Sequence, residues 1–260
     1  MTGDATRDNA EADGRRGDHV TAAVLVIGDE ILSGRTQDTN THYVARHLTQ
    51  IGIDLREVRV VADDAAAIVE AVNALRVRYR YVFTTGGIGP THDDITADCI
   101  AAAMGVAIGV DPRALALMKP HYERRGLELT PSRLRMARIP VGAELIENSI
   151  SVAPGFMIEN VIVMAGVPAV MQVMLDAVTP RLATGRRMLS DAIDLDVPEG
   201  AIAELLAEHQ TAFPDVAMGS YPSFRTGKPT VQLVLRSTDE GRWRAAVEGL
   251  KSKLIQRGIM

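Results

Sequence analysis

Apolar and polar positions along the chain follow two rhythms. "TAAVLVIG" (21–28) is an unbroken apolar run of strand length, as expected of a strand covered on both faces. A polar stretch, "DEILSGRTQDTNT", separates it from "HYVARHLTQIG", where Tyr43, Val44, His47 and Leu48 share one helical face and Gly52 supplies a stop. "IDLREVRVV" alternates like a strand, and "DDAAAIVEAVNALRVRY" places aspartates ahead of apolar residues at helical spacing. "YVFTT" is a third strand. This alternation predicts an α/β fold, a mostly parallel sheet with helices on both faces.

Further along, "DPRALALMKPHYERRG" and "TPSRLRMARIP" read as helices started near Pro112 and Pro131, where a missing N–H costs least. "GFMIENVIVMAGVP" reads as a pair of strands with "EN" at the turn, and "AVMQVMLDAVTPRL" as a closing helix. The pattern changes near "ATGRRMLS". Beyond it "AIDLDV", "EGAIAELLAEHQTAF", "VAMGSYPSF", "TVQLVLRS" and a final helix through Trp243, Val247, Leu250 and Leu254 form a β-α-β-β-α unit. The expected organisation is a disordered tail at 1–19, an α/β domain at 20–185 and a small α+β domain at 186–260.

Composition narrows the class. The 260 residues are 47% apolar and 23% charged, ordinary for a soluble globular protein, with only 4% aromatics. A net charge of −5 argues against nucleic acid as a partner. One cysteine permits no disulfide within the chain, and a reducing cytoplasm is the economical location. No apolar run approaches the ~20 residues that cross a bilayer, so no membrane role is expected. "GRRGDHVTAAVLVIG" does place twin arginines before an apolar run, but the run is short and ends in "GDE". A tail leading into a buried strand is the expectation there, rather than an export signal.

The chemistry concentrates in "TTGGIGPTHDDITADCIAAAMG" (84–105). Glycines at a strand-to-helix turn let backbone N–H groups cradle an anion, at the carboxyl edge where open parallel sheets place ligands. "GGIGPTHDD" fails both the Walker spacing and the dinucleotide fingerprint, so tight packing alone is an equal explanation of the glycines. Asp93 or Asp94 could cap the helix "ITADCIAAAMG", whose buried face would carry Ile95, Cys99 and Ala102. One aspartate suffices for a cap, however. Carboxylates beside a phosphate cradle repel the phosphate unless a divalent cation sits between them. The other two strands end in Asp29–Glu30 and Asp63–Asp64, so a parallel sheet would bring three acidic clusters to one edge.

Other candidates carry less. His42, His47, His92 and His121 lack metal-ligand spacing, and Cys99 reads as a small core residue. Arg124, Arg125, Arg133, Arg135 and Arg138 form a basic stretch, either a solvated helix face or a neutraliser for a diphosphate.

"GDEILSGRTQDTNTHYVARHL", "VVADD", "TTGGIGPTHDDITAD", "SVAPGF" and "GVPAVM" occur here in the order they take in the MoaB/Mog-like, or molybdopterin-binding-like, family. Over residues 20–182 the chain most resembles the amino-terminal part of competence/damage-inducible protein A and the first domain of eukaryotic FAD synthase. The resemblance implies a three-layer α/β/α fold and a homo-oligomer, dimer or trimer. It also implies a small-molecule nucleotide or pterin ligand. By the same resemblance Gly86, Gly87 and Gly89 form a phosphate-binding turn, and Asn40, Pro154, Gly155, Gly166 and Pro168 belong to further substrate contacts; Thr91 within the turn and Arg135 of the basic stretch are additional candidates for binding the substrate. Asp63 and Asp94 match a catalytic acidic pair; with Glu30 and Asp93 they would hold metal. The implied cofactor is a divalent ion, Mg²⁺, Mn²⁺ or Co²⁺, with K⁺ as a further candidate.

Two features depart from those relatives. No counterpart of the amidase domain or of the nucleotidyltransferase domain is in the sequence, so neither nicotinamide mononucleotide deamidation nor FAD synthesis is expected. "RTGK" lacks the GxxG of a KH module, which makes the small domain a packing or oligomerisation element. The expected activity is metal-dependent hydrolysis of a nucleotide diphosphate such as ADP-ribose or FAD. Pterin-nucleotide binding in molybdenum-cofactor metabolism and non-catalytic nucleotide binding are the alternatives.

Overall fold

The computed structural model describes residues 20–225 and 227–260. The tail expected at 1–19, with its twin arginines, and Thr226 of the "RTGKP" turn lie outside the described residues. The chain divides after Gly185 into two compact units.

The first unit is built on β1 (Val20–Ile27), β2 (Ile53–Val61), β3 (Tyr81–Thr85), β6 (Glu144–Ile146), β7 (Gly155–Ile158) and β8 (Val161–Met164), in sheet order β2-β1-β3-β8-β7-β6. The first four of these neighbours run parallel. β7 and β6 then extend the sheet antiparallel. Alternate residues of β1 enter two different cores. Ala23, Leu25 and Ile27 pack with α3 (Ala65–Arg76), α4 (Thr96–Met104) and α5 (Pro112–Arg124). Ala22, Val24 and Val26 pack with α2 (Asn40–Gln50) and α7 (Pro168–Val178). That double cover is why β1 has no polar position to alternate with. β2 is the edge strand, and its Val58 and Val60 remain 43% and 39% exposed.

The helices start where local chemistry supplies partners. Asp64 caps α3 by accepting the Ala67 N–H at 2.9 Å, a contact of about 1 kcal/mol. Asp111 caps α5 on Arg113 N, with Pro112 opening the helix.

Several details differ from expectation. The polar stretch after β1 contains a one-turn helix, α1 (Asp29–Leu32). "TPSRLRMARIP" makes only α6 (Pro131–Leu134) and a 3₁₀ turn. The chain then extends as β5 (Arg138–Pro140), which pairs with β4 (Ile108–Val110). Ile139 and Pro140 belong to a buried ladder rather than a helix. In α4, Thr96, Cys99, Ile100 and Ala103 are buried, whereas Ala102 faces solvent.

The second unit is a three-stranded antiparallel sheet, β9 (Leu189–Leu195), β10 (Ala217–Arg225) and β11 (Lys228–Ser237), in order β10-β11-β9. With α8 (Ala203–Ala212) and α9 (Glu240–Gln256) it closes its own core around Leu233, Leu235, Leu250 and Leu254.

Candidate functional site

At the carboxyl edge of β1, β2 and β3 lies a cavity of about 420 Å³. All three acidic clusters reach it: Glu30, Asp63, Asp93 and Asp94 line it, beside the turn formed by Gly86, Gly87, Ile88 and Gly89 and beside Gly166. Apart from Ser151, the rest of the lining is apolar or glycine, including Ile27, Met136, Val170 and Met174. Among the described residues no lysine, arginine or histidine contributes to it.

The glycines of the turn serve two different purposes. A Cβ on Gly86 (φ +104) would lie 2.1 Å from the Ile27 carbonyl oxygen, and one on Gly87 (φ +66) 2.1 Å from Thr96 Oγ1. The protein itself fills the space those side chains would take, so close packing accounts for both residues. Gly166 is similar, with its missing Cβ 3.2 Å from Gly86 Cα. Gly89 differs, because its open side faces the Asp94 carboxylate at 2.6 Å. The turn is locked by Thr96, whose Oγ1 donates to Gly86 O and whose N–H donates to Gly87 O, both at 3.0 Å. The N–H groups of Gly87, Ile88 and Gly89 make no hydrogen bond among the described residues. Three consecutive donors without a partner at a cavity wall are an arrangement that can donate hydrogen bonds to an anion.

Neither Asp93 nor Asp94 caps α4. Ile95 occupies the cap position, with no side-chain cap bond. Asp94 Oδ2 instead accepts from the Thr91 N–H (2.8 Å) and hydroxyl (2.5 Å), closing the turn on itself. The Asp63 carboxylate accepts the Asp29 N–H at 3.0 Å, which ties the end of β2 to the start of α1. Burial raises the Asp63 pKa above the usual carboxylate range, and the charges of Asp29, Glu30 and Asp93 add to that; the Asp29 hydrogen bond opposes it.

The other expected contacts fall around the cavity rather than in its lining. Asn40 donates to the Gly166 carbonyl at 2.7 Å, and Pro168 opens α7 just beyond. Gly155 packs on the Val163 carbonyl. Pro154 and Arg135 line a water-sized space behind the glycine turn, where an Arg135 nitrogen donates to the Asp94 carbonyl oxygen at 3.0 Å. The basic stretch disperses. Arg138 pairs with Asp98 through two nitrogens, at 2.6 and 3.0 Å, and Arg133 reaches Glu128 O and lies over the Tyr122 ring. Burial pushes the Cys99 thiol up to about 11, as suits an inert core residue.

Sequence reasoning passed over Ser151 and Ala153, which line the cavity, although "SVAPGF" was in view. A run of small polar residues between two short strands, "ENSIS", was the available signal.

A doubly covered, mostly parallel sheet with a glycine turn and a ligand-sized cavity at its carboxyl edge defines an α/β small-molecule-binding domain. The chain belongs to the family described as probable molybdopterin binding domain, whose model matches residues 23–184. Residues 187–260 match the middle domain of FAD synthase. A protein of Aeropyrum pernix is 34% identical over 253 residues, covering 93% of this chain and 94% of its own. A CinA-like protein of Desulfosudis oleivorans is 37% identical over 209 residues, covering 76% of this chain but 51% of its own length. Among solved structures, CinA from Thermoplasma acidophilum, described as of unknown function, superposes with a TM-score of 0.59 at 35% identity, over 64% of this chain and 99% of its own. No helix among the described residues is long and apolar enough to cross a membrane.

Proposed function

We propose that the chain is a metal-dependent pyrophosphatase acting on a nucleotide diphosphate such as ADP-ribose or FAD. The observation that carries this reading is one cavity holding both a cradle of three undirected N–H groups and four carboxylates. Donors alone would suit a free anion; donors facing acids suit an anion that arrives with a cation.

The donor set fits such a cation in kind, since every candidate ligand is a hard carboxylate oxygen. Among the described residues, however, no three His, Cys, Asp or Glu side chains form a group that could hold a metal by themselves. Mg²⁺ and similar ions commonly take one or two carboxylates and complete their shell from substrate phosphates and water. One or two of Glu30, Asp63, Asp93 and the second oxygen of Asp94 would hold it alongside the diphosphate. Bound there, it would neutralise diphosphate charge and acidify a water. The N–H groups of Gly87, Ile88 and Gly89 would bind the phosphoryl oxygens and stabilise charge gathering on them. The aliphatic wall would take a base or ring and exclude bulk water from it.

Incubation with ADP-ribose, FAD and NAD under Mg²⁺, Mn²⁺ or Co²⁺ should release AMP, and a chelator should stop it. Asp63→Asn is the sharper variant and should lower the rate at least tenfold; Asp94→Asn also disturbs the bonds to Thr91. Metal-independent release, or full activity in Asp63→Asn, would remove the assignment. The mainly aliphatic lining also suits a flat pterin ring, and binding of molybdopterin without turnover would favour that second reading.

A further inference from the structure

We infer that Ser151 is a ligand-binding residue of this cavity: its hydroxyl donates a hydrogen bond to a phosphate oxygen of the group held on the glycine turn. The inference rests on the phosphate-site reading above and adds a residue to it.

The loop that carries Ser151 is built around Asn148, which is 5% exposed. Asn148 Oδ1 accepts the N–H groups of Ile150 (2.9 Å) and Ser151 (3.0 Å). Its Nδ2 donates to Ser151 Oγ (2.6 Å) and to the Ala153 carbonyl (2.9 Å). The amide therefore uses both acceptor sites and both donors, and cannot be flipped without losing bonds to a carbonyl and to two N–H groups. Its backbone carbonyl takes the Val152 N–H at 3.1 Å. Val152 follows with φ +60, a left-handed conformation that a β-branched residue enters only under constraint. A loop held this firmly, at the expense of a strained residue, fixes what it presents.

It presents a hydroxyl with a free proton. Ser151 Oγ accepts from Asn148, and its own O–H makes no hydrogen bond among the described residues. Among the described residues lining the cavity, Ser151 is also the one whose side chain can donate a hydrogen bond, the carboxylates being acceptors when ionised and the remainder apolar or glycine. With no lysine or arginine in the described lining, an anion there relies on neutral donors, and among the described residues Ser151 supplies the only one outside the backbone. Among the described residues no histidine lines the cavity to activate the hydroxyl, and the role assigned to it is binding.

The test is calorimetric titration of the full chain with inorganic pyrophosphate in excess Mg²⁺. Ser151→Ala should weaken binding tenfold or more, about the worth of a hydrogen bond to a charged group. Ser151→Thr, which keeps the hydroxyl, should stay within about threefold of the parent. Ser149→Ala, two residues away in the same loop, should bind as the parent does. Equal affinity in the parent and Ser151→Ala would overturn the assignment while leaving the phosphate site standing. Equal losses in Ser151→Ala and Ser151→Thr would likewise overturn it, marking a matter of loop shape. A parent chain that binds no pyrophosphate at all would remove both readings.

Discussion

The cavity is lined by two kinds of loop that solve the same problem in opposite ways. The turn after β3 must leave a strand abruptly, and it uses glycine at φ +104 and φ +66 to do so without strain. The loop at 147–154 also needs a left-handed residue, yet it places valine there and holds it with the side-chain bonds of Asn148. In the first loop conformational freedom is written into the residues that turn. In the second, the turning residue resists and a buried amide four positions away overrules it. Glycine permits a shape; a saturated asparagine imposes one.

That contrast makes different substitutions costly in the two loops. The largest effect should come from Gly86→Ala, because its Cβ would meet backbone at 2.1 Å, where no side chain can yield. A loss of more than about 3 kcal/mol in urea unfolding is expected. Gly34→Ala is also at a positive φ, +71, but has nothing within 4 Å, and should lose only about 1 kcal/mol. Equal losses at the two sites would show that backbone conformation, not crowding, is what Gly86 provides.

Asn148→Ala should rank next, at about 2 to 3 kcal/mol, because it leaves the Ile150 and Ser151 N–H groups without acceptors. If it costs under about 0.5 kcal/mol, Asn148 does not impose the loop and the comparison fails.

The smallest effect is a pH dependence on the glycine-turn side. Asp63 has a raised pKa, so the folded chain holds its proton more tightly than the unfolded chain does. Without metal, the Asp63 contribution to stability should therefore be greatest below the ordinary aspartate range, against the opposite trend of the carboxylates held low by their partners, such as Glu57, Asp111 and Asp215. That contribution should fall as pH rises through the interval up to the raised value, and then level off. Asp63→Asn should flatten that segment of the profile, and excess Mg²⁺ should offset the loss at neutral pH by binding the folded state. Melting curves across pH 3 to 7, with chelator and then with Mg²⁺, would show it.

The same contrast explains what could be read from the sequence. The continuous apolar run of β1 and the helical spacing in α3 announce a covered sheet, because burial on both faces leaves a pattern in residue type. Glycines and paired aspartates announce the carboxyl edge for the same reason. Asn148 announces nothing, since its four bonds are made within six residues by partners of ordinary type, and only the folded loop shows them to be mutually complete. The cap expected from Asp93 or Asp94 failed similarly: Thr91 is an equally good partner three residues back, and it takes the carboxylate. The Pro131 segment ended early because Ile139 and Pro140 are drawn into the β4–β5 ladder, where tertiary burial outweighs helical spacing.

The two-faced burial of β1 has a consequence for how the first unit comes apart. A strand that is simultaneously the floor of one core and the ceiling of another cannot be released from either alone, so damage beneath α7 is felt beneath α3. The two cores share one fate, and the amide protons on both sides of the sheet should exchange with solvent at closely matched rates. The ligand cavity opens at the end of that shared strand, where Ile27 lines it. A molecule bound there would slow exchange on both faces at once, and the sheet would report occupancy far from the point of contact.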